Sequence, residues 1–166
     1  MKKIFLLLLF VGTLLSCEKD DICDSGTTTT PRVIVEFYDF SLQTNLKSVS
    51  NLKVTADDQI DSLEVFDGKS KIELPLKSAA TSTRYSMIIN SSLPTSANED
   101  FLEFNYTTNT IYVSRACGYK ITYNLNDING VVQTDATMPD GNWIKDIDIL
   151  TTTINDEKTT HIKIYF

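Results

Sequence analysis

Residues of the types that carry most enzymatic chemistry are scarce in this chain. There is one histidine, His161, so a Ser-His-Asp or Cys-His arrangement would have to use that side chain. His161 lies in an alternating segment near the end of the sequence, and this pattern predicts an ordinary position on a strand surface. The 6 glycines are scattered and form no phosphate-binding loop. We therefore predict no catalytic residues and no cofactor.

Carboxylates are the one abundant reactive group, with 22 Asp and Glu residues. A glycosidase needs two of them facing each other across a cleft, and the sequence cannot select such a pair. Asp146 and Asp148 share one face of a predicted strand and could contact calcium, but no Asp-rich loop surrounds them. The acidic pairs at 57–58 and 99–100 are expected to be solvated. Trp143 and the 7 tyrosines could line a sugar site, although most are expected in the core or on strand surfaces.

The strongest chemical signal is a cysteine at the end of an apolar segment. Two lysines precede the apolar stretch 4–15, which is shorter than the roughly 20 residues that span a bilayer and is typical of a secretory signal. The Leu-Leu-Ser-Cys sequence that ends at Cys17 resembles the bacterial lipobox, whose cysteine sulfur receives diacylglycerol before cleavage. We therefore predict that residues 1–16 are a lipoprotein signal peptide and that Cys17 is the lipidated N-terminus. The alternative is an ordinary secretory signal that happens to contain a cysteine.

The residues that follow Cys17 indicate to which membrane face the protein is exported. Directly after Cys17 stand four charged residues, Glu18, Lys19, Asp20 and Asp21. Such a run resembles the export signal that Bacteroidota use to place lipoproteins on the outer leaflet of the outer membrane. It favours an outer-membrane anchor at the cell surface; the alternatives are the periplasmic face and a run that is only a solvated tether. The Thr-rich stretch 27–30 and Pro31 predict that a lipidated tether, 17–31, ends where a single domain, 32–166, begins.

Net charge limits the partners that the chain can bind. There are 15 basic and 22 acidic residues, and removal of residues 1–16 takes away two lysines, which leaves 13 against 22, or −9. That acidity argues against nucleic acid and against adsorption to an anionic membrane through charge, because both need clustered Lys and Arg. The expected membrane contact is therefore the N-terminal lipid. The 150 residues that remain of 166 suffice for one domain without a metal.

The other two cysteines predict a disulfide. With Cys17 consumed by lipid, Cys23 and Cys117 remain in an oxidising compartment, and together with one histidine they are too few for a zinc site. Cys117 shares the parity of the inward-facing positions of its predicted strand, and Cys23 lies in the tether. A bond between them would therefore pin the tether onto the sandwich. The alternative is a buried, free Cys117 with an unattached Cys23.

One modification motif occurs inside the predicted domain. The tripeptide Asp61-Ser62-Leu63 resembles the Asp-Ser/Thr-apolar sequence that Bacteroidota O-glycosylate after export. Ser62 is therefore a candidate O-glycosylation site, although about one such match is expected by chance in a chain so rich in Asp, Ser and Thr.

Strand patterns dominate the rest of the chain. Apolar residues recur with a period of two over most of 33–166, which is typical of strands with one buried face. Asp67-Gly68 between two such runs predicts a two-residue hairpin turn that places Glu64 opposite Lys71. No convincing amphipathic helix is found. Eight to ten short strands predict an all-β fold, an antiparallel β-sandwich of immunoglobulin-like type, with a small closed β-barrel as the alternative.

Several segments together carry a family resemblance. They are 17–23 (CEKDDIC), 30–39 (TPRVIVEFYD), 74–76 (LPL), 113–119 (VSRACGY) and Trp143-Ile144. These segments are similar to those of a family of small Bacteroidota lipoproteins, mostly flavobacterial, that is known only as a domain of unknown function. The likeness covers nearly the whole mature chain. It implies an envelope location and a β-rich domain, and it brings no activity, cofactor or catalytic residue.

Two classes of function stay open at this point. The first is a non-catalytic surface binding or interaction module, with an envelope protein or a glycan as its partner. The second is a periplasm-facing structural or assembly accessory of the outer membrane, and an enzyme is a distant third. An exposed aromatic patch at one end of the sandwich would favour the first class. A long unpaired edge strand would favour the second, because such an edge binds partners by strand addition.

Overall fold

The structure, a computed structural model, describes residues 22–27, 29–57 and 64–166. Four predicted features lie outside these ranges: the signal peptide, the predicted lipidation site Cys17, the charged run 18–21 and the candidate glycosylation site Ser62. The described residues form eleven β-strands: β1 Val33–Tyr38, β2 Leu52–Ala56, β3 Glu64–Phe66, β4 Lys71–Leu74, β5 Ser82–Ile89, β6 Asn98–Ser114, β7 Gly118–Leu125, β8 Val131–Asp135, β9 Asp146–Ile149, β10 Thr153–Ile154 and β11 Ile162–Tyr165. Over the same ranges no helix has the length and apolarity to cross a membrane.

The strands form two sheets that pack face to face. The small sheet has the order β4-β1-β11-β9, and the large sheet has the order β10-β7-β6-β5-β2-β3, with β8 also paired to β6. Every pair is antiparallel except β1 with β11. The sheets do not close on each other, so the predicted β-sandwich is confirmed and the barrel alternative is wrong. The immunoglobulin-like subtype stays a prediction.

Alternation of side chains places the core between the sheets. In β5 every second residue is buried, and β6 continues the pattern through Leu102, Phe104 and Tyr106. From the small sheet, Val35, Phe37 and other apolar residues of β1, β4 and β11 face the same interior. Burying such side chains contributes roughly 1.5–3 kcal/mol each before entropy is counted. The period-two pattern in the sequence therefore follows from one buried face per strand.

Three buried tyrosines tie the two sheets together. They come from the neighbouring strands β5, β6 and β7 and are at most 1% exposed: Tyr85, Tyr106 and Tyr123. Their hydroxyls donate to the main-chain carbonyls of three consecutive residues, Pro75, Leu76 and Lys77. That segment leads from β4 in the small sheet to β5 in the large one. Because a buried hydroxyl must find a partner, these bonds fix the path of the crossover.

The predicted hairpin at Asp67-Gly68 is wrong. Glu64 in β3 pairs with Val54 of β2 in the large sheet, and Lys71 in β4 pairs with Glu36 of β1 in the small sheet. Gly68 does have the positive φ of 65° that a tight turn requires, but the turn carries the chain from one sheet to the other. The local pattern identified both strands and the turn between them. It could not identify their partners, because pairing depends on residues distant in sequence.

Strand β6 is the longest element and runs past the core. Its first half pairs with β5 on one edge and β8 on the other, and its second half pairs with β7. Residues 107–112 are exposed, so the β6–β7 hairpin projects beyond the sandwich. A strand of 17 residues spans roughly 50 Å at about 3.3 Å per residue. The two ends of β6 therefore lie at opposite ends of the molecule.

Candidate functional site

Two cysteines, Cys23 and Cys117, meet at the end of the projecting hairpin. Cys23 and Cys117 form a disulfide with their Cα atoms 4.9 Å apart and a sequence separation of 94. Cys117 lies in the turn between β6 and β7 and not, as its parity suggested, at an inward strand position. A further bond follows along the outer edge of β7, where Ile121 N donates to Thr30 Oγ1 at 3.0 Å. The tether is therefore fastened to the hairpin and not to the sandwich core.

An open cleft of about 600 Å³ lies at the opposite end of β6. Its lining is mostly polar and comes from loops and strand ends: Lys47, Ser48, Ser50, Ile89, Asn90, Ser96, Asn98, Asp140, Gly141, Asn142, Trp143, Lys145 and Phe166. Asn98 begins β6, whereas the disulfide stands at the other end of the same strand. The cleft and the attachment point of the tether are therefore separated by nearly the length of β6.

Two asparagines with left-handed backbones shape one wall of the cleft. Asn51 has a φ of 44° and Asn90 a φ of 54°, and asparagine adopts this region more readily than most residues. Their turns are joined because Asn90 N donates to Ser50 O at 2.9 Å and Ser91 N donates to Asn51 O at 3.1 Å. The cross-link brings Ser50 and Asn90 side by side on the lining.

Aromatic rings form the floor of the cleft. The rings of Trp143 and Phe166 meet edge to face with centroids 5.5 Å apart, and Phe166 also meets Phe37 of the core at 6.0 Å. Trp143 Nε1 donates to Met87 O at 3.0 Å, so the indole is a buried anchor and not an exposed stacking surface. Lys47 Nζ lies 4.4 Å from the Phe166 ring centroid and donates to the Phe166 main-chain oxygen at 2.7 Å.

Asp100 holds the segment that carries this floor. It is fully buried, which corrects the expectation that the 99–100 pair is solvated. Its Oδ2 accepts from Ile144 N at 2.8 Å and from Gln133 Nε2 at 3.2 Å, whereas Oδ1 has no hydrogen-bond partner among the described residues. Burial raises the pKa of Asp100, and the nearby Asp135 carboxylate adds to that rise. The sequence could have indicated that Asp100 is buried, because Asp100 shares the parity of the buried Leu102.

His161 is buried, which corrects its predicted position on a strand surface. Its Nδ1 accepts a hydrogen bond from Ile34 N at 2.8 Å, and its Nε2 is buried without a partner among the described residues. Burial lowers the pKa of His161, so the ring is neutral with its proton on Nε2. It does not line the cleft. The geometry therefore gives His161 a role in packing β1 against the chain before β11, and no access to a substrate.

The candidate carboxylates on β9 are not brought together as a cation site. Asp148 accepts from Tyr165 Oη at 2.8 Å, a bond that raises the pKa of Tyr165 to about 12. Asp146 Oδ1 accepts from the neighbouring Ile147 N at 2.9 Å. In the parts of the chain that the structure describes, no cluster of three or more His, Cys, Asp or Glu could hold a metal.

A second depression, of about 470 Å³, lies on the outer face of the large sheet. It contains two carboxylates, Asp57 and Glu103, but Asp57 is bound to Arg84 at 3.3 Å. The Arg84 guanidinium also lies 3.9 Å over the Phe101 ring. These contacts describe an exposed ion pair that stabilises a sheet surface. Asp58, the other half of the predicted pair, lies outside the described residues.

One ion pair that sequence reasoning missed joins the start of β1 to the loop before β11. Arg32 Nε and Nη2 donate to the two Glu157 oxygens at 2.8 and 2.9 Å, and Arg32 N donates to Glu157 Oε1 at 2.9 Å. The Arg32 side chain also contacts Glu73. Hydrogen bonding to Arg32 lowers the pKa of Glu157 to about 2. No local signal could reveal this pair, because 125 residues separate its members.

Comparison with known proteins identifies a family and no activity. No curated protein and no solved structure matches the chain. A family model described as a family of unknown function (DUF6452) matches residues 51–166. The match takes in both strands of the projecting hairpin and most of the cleft lining, and it begins after β1. The resemblance to a domain of unknown function is thereby confirmed in its coarser form: the chain belongs to the family of unknown function DUF6452.

Proposed function

We propose that the protein is a lipoprotein anchored in the outer membrane of a member of the Bacteroidota, where it acts as a non-catalytic binding module at the cell surface. The lipobox ending at Cys17 supports the anchor, and the charged run 18–21 supports the outer leaflet. Within this proposal, the cleft at the far end of β6 is the binding site.

The position of the cleft carries this proposal. Cys23 follows Cys17 by six positions, and an extended chain of that length reaches at most roughly 20 Å. The disulfide therefore holds the hairpin tip near the lipid. Since β6 spans roughly 50 Å from the tip to Asn98, the cleft lies far along the strand from the point at which the tether is attached. That arrangement suits a module that displays a binding site to the outside.

The chemistry of the cleft favours a glycan as the ligand. Its serine hydroxyls and asparagine amides can donate to and accept from sugar hydroxyls, and Phe166 adds an apolar ring at the floor. Asp140 is the one carboxylate among the described lining residues, whereas a glycosidase needs two across the bond that it cleaves. The lining therefore supports binding without hydrolysis.

The test is binding of the full lipidated protein, in detergent, to an array of bacterial envelope polysaccharides. We expect at least one saccharide to bind and to be released unhydrolysed. Ser48→Trp, which fills the cleft, should weaken binding at least about tenfold, since it removes the space for the ligand. Ser78→Trp, at an exposed loop position outside the cleft, is the matched control and should bind normally. An array without binding, or equal binding by Ser48→Trp, would contradict the proposal.

One observation favours the accessory function as a second candidate. Beyond Asn105, where pairing with β5 ends, the edge of β6 opposite β7 has no strand partner among the described residues. Residues 107–114 (TTNTIYVS) are uncharged and contain no proline, so this edge could receive a strand from another envelope protein. Placing a proline at Thr110 should abolish capture of such a partner in cross-linking on intact cells. Unchanged cross-links would dismiss this candidate.

A further inference from the structure

Two exposed tyrosines stand together near the tip of the β6–β7 hairpin. Tyr112 is 58% exposed and Tyr119 is 68% exposed, although both are large aromatic side chains. They are direct partners across the two strands, and their ring centroids are 5.3 Å apart. A paired aromatic surface of this kind at the end of a projecting element is unusual for a face that meets only water.

The covalent structure places this pair beside the lipid. Cys117 lies in the hairpin turn, two residues from Tyr119, and is bonded to Cys23. The chain from Cys23 back to Cys17 reaches at most roughly 20 Å. A tip held that close to an embedded lipid cannot leave the neighbourhood of the bilayer surface. This step rests on the lipid anchor of the proposed function.

The charge of the hairpin differs from that of the rest of the chain. The protein carries 22 acidic residues and a net charge of −7, yet residues 104–126 contain no Asp or Glu. The same stretch contains Arg115 at the turn and Lys120 in β7. The hairpin itself therefore carries no acidic side chain, although Asp24 follows the cysteine that is bonded to its turn. Tyrosine itself suits the boundary of a bilayer, because its ring is apolar and its hydroxyl remains among polar headgroups.

We propose that the tip of the β6–β7 hairpin is a membrane-contacting element that seats Tyr112 and Tyr119 in the headgroup region of the bilayer holding the Cys17 lipid. Contact at the tip orients the molecule as well as tethering it. When the hairpin tip contacts the bilayer, β6 extends away from the membrane surface, and the cleft lies at the end of β6 farthest from the membrane. A flexible tether alone would leave the sandwich free to tumble beside the membrane.

Fluorescence quenching by brominated phosphatidylcholine tests this contact. The full lipidated protein is placed in neutral phosphatidylcholine vesicles, with or without bromine near the headgroup end of the acyl chains. Tyr119→Trp puts a reporter at the tip, and Tyr112→Trp is a second reporter should the first variant fail to fold. Phe40→Trp is the matched control, because Phe40 is 48% exposed and its amide bonds to Phe166 beside the cleft. The buried Trp143 contributes the same background to every sample.

We expect bromine to reduce the emission that Tyr119→Trp adds to about half or less, and to leave that of Phe40→Trp nearly unchanged. Equal and weak quenching of both reporters, in protein that floats with the vesicles, would overturn the tip contact while leaving the lipid anchor in place. Failure to float would instead overturn the anchor itself. Cross-links between two copies through the tip, without quenching, would show that a second protein chain covers the tyrosines and would likewise overturn the proposal.

Discussion

At the scale of single residues, burial shifts the pKa values of two titratable groups toward their neutral forms. His161 and Asp100 are both fully buried, yet burial moves their pKa values in opposite directions because it disfavours the charged form of each. His161 loses its proton more readily, and Asp100 retains its proton more readily. Each uses one side-chain atom to accept a main-chain amide hydrogen bond from a distant segment.

The single histidine permits a direct test of this account. Because the folded pKa of His161 is lowered from 6.5, the unfolded chain binds a proton first as the pH falls. The stability that the neutral ring contributes is therefore present above pH 6.5 and is lost as the pH falls through the folded pKa. We expect the imidazole NMR signals to shift only below the usual range. His161→Asn can still accept from Ile34 N without titrating, so it should remove this part of the pH dependence. Titration at the ordinary pKa would contradict the burial.

At the scale of elements, the fold depends on contacts that close its first strand against its last. β1 and β11 pair in parallel from Val35 with Ile162 to Tyr38 with Tyr165. Arg32 and Glu157 lie just before these two strands, and two parallel charge-assisted hydrogen bonds join their side chains. The tether that precedes Arg32 is held to the hairpin by the Cys23–Cys117 bond.

Glu157→Gln should lower the free energy of unfolding, because it weakens the contact at the start of the β1–β11 pair. The Arg32 and Glu157 side chains are 46% and 34% exposed, so solvent screens the pair. We therefore expect a loss of about 0.5–1 kcal/mol of unfolding free energy at neutral pH. The folded pKa of Glu157 is about 2 against an ordinary 4.5. The stability it contributes is therefore present above pH 4.5 and disappears as the pH falls toward 2. Urea unfolding at pH 7 and pH 2.5 measures this, and a difference between wild type and variant that persists unchanged at pH 2.5 would refute it.

The disulfide should stabilise the protein mainly by restricting the unfolded chain. With a sequence separation of 94 between the cysteines, the chain-entropy model gives about 4–5 kcal/mol as an upper value. The double variant Cys23→Ser/Cys117→Ser should lose up to that amount of unfolding free energy while retaining its circular dichroism spectrum, since the bond lies outside the core. Unfolded mature protein should take up thiol label only after reduction. Uptake of two labels without reductant would exclude the bond.

At the scale of the whole molecule, the proposed function assigns attachment to one end and binding to the other. The tether, the disulfide and the acid-free hairpin lie at the first end, and the polar cleft lies at the second. The long strand β6 joins them and sets the distance between them. Within the proposed function, this polarity explains why a short tether is sufficient: the strand itself carries the binding site away from the bilayer.

Location on the cell can be measured with the same chain. Cys17→Ala should remove incorporation of a clickable fatty acid, because no thiol would remain at the cleavage site to receive lipid.

Exposure at the cell surface is a separate prediction. Wild-type protein should be digested by protease added to intact cells. Changing all four residues of 18–21 to alanine should protect it, if the run is the export signal. Full protection of the wild type until the outer membrane is breached would favour the periplasmic accessory instead.

Much of the fold was predictable and most of the site was not. Alternation along β5, β6 and β11 identified strands and buried residues, because side-chain direction repeats every two positions. The same parity could have placed Asp100 in the core, but its charge led to the opposite expectation. The cleft could not be foreseen, since its lining comes from segments as far apart as Lys47 and Phe166.

The sequence by itself determined the strands, the likeness of Cys17 to a lipidation site, the pairing of the two remaining cysteines and the acidity of the chain. The strand patterns and the lipobox depend on residue type and near neighbours, and the acidity depends on composition. The cysteine pairing was inferred by elimination, because two cysteines remain once Cys17 is assigned to the lipid. Only the tertiary structure decided that β3 and β4 enter different sheets, that His161 is buried and that the disulfide stands on a projecting tip. Those outcomes depend on which distant segments pack together, and packing is a property of the whole chain because burial is shared among all the strands that enclose one core.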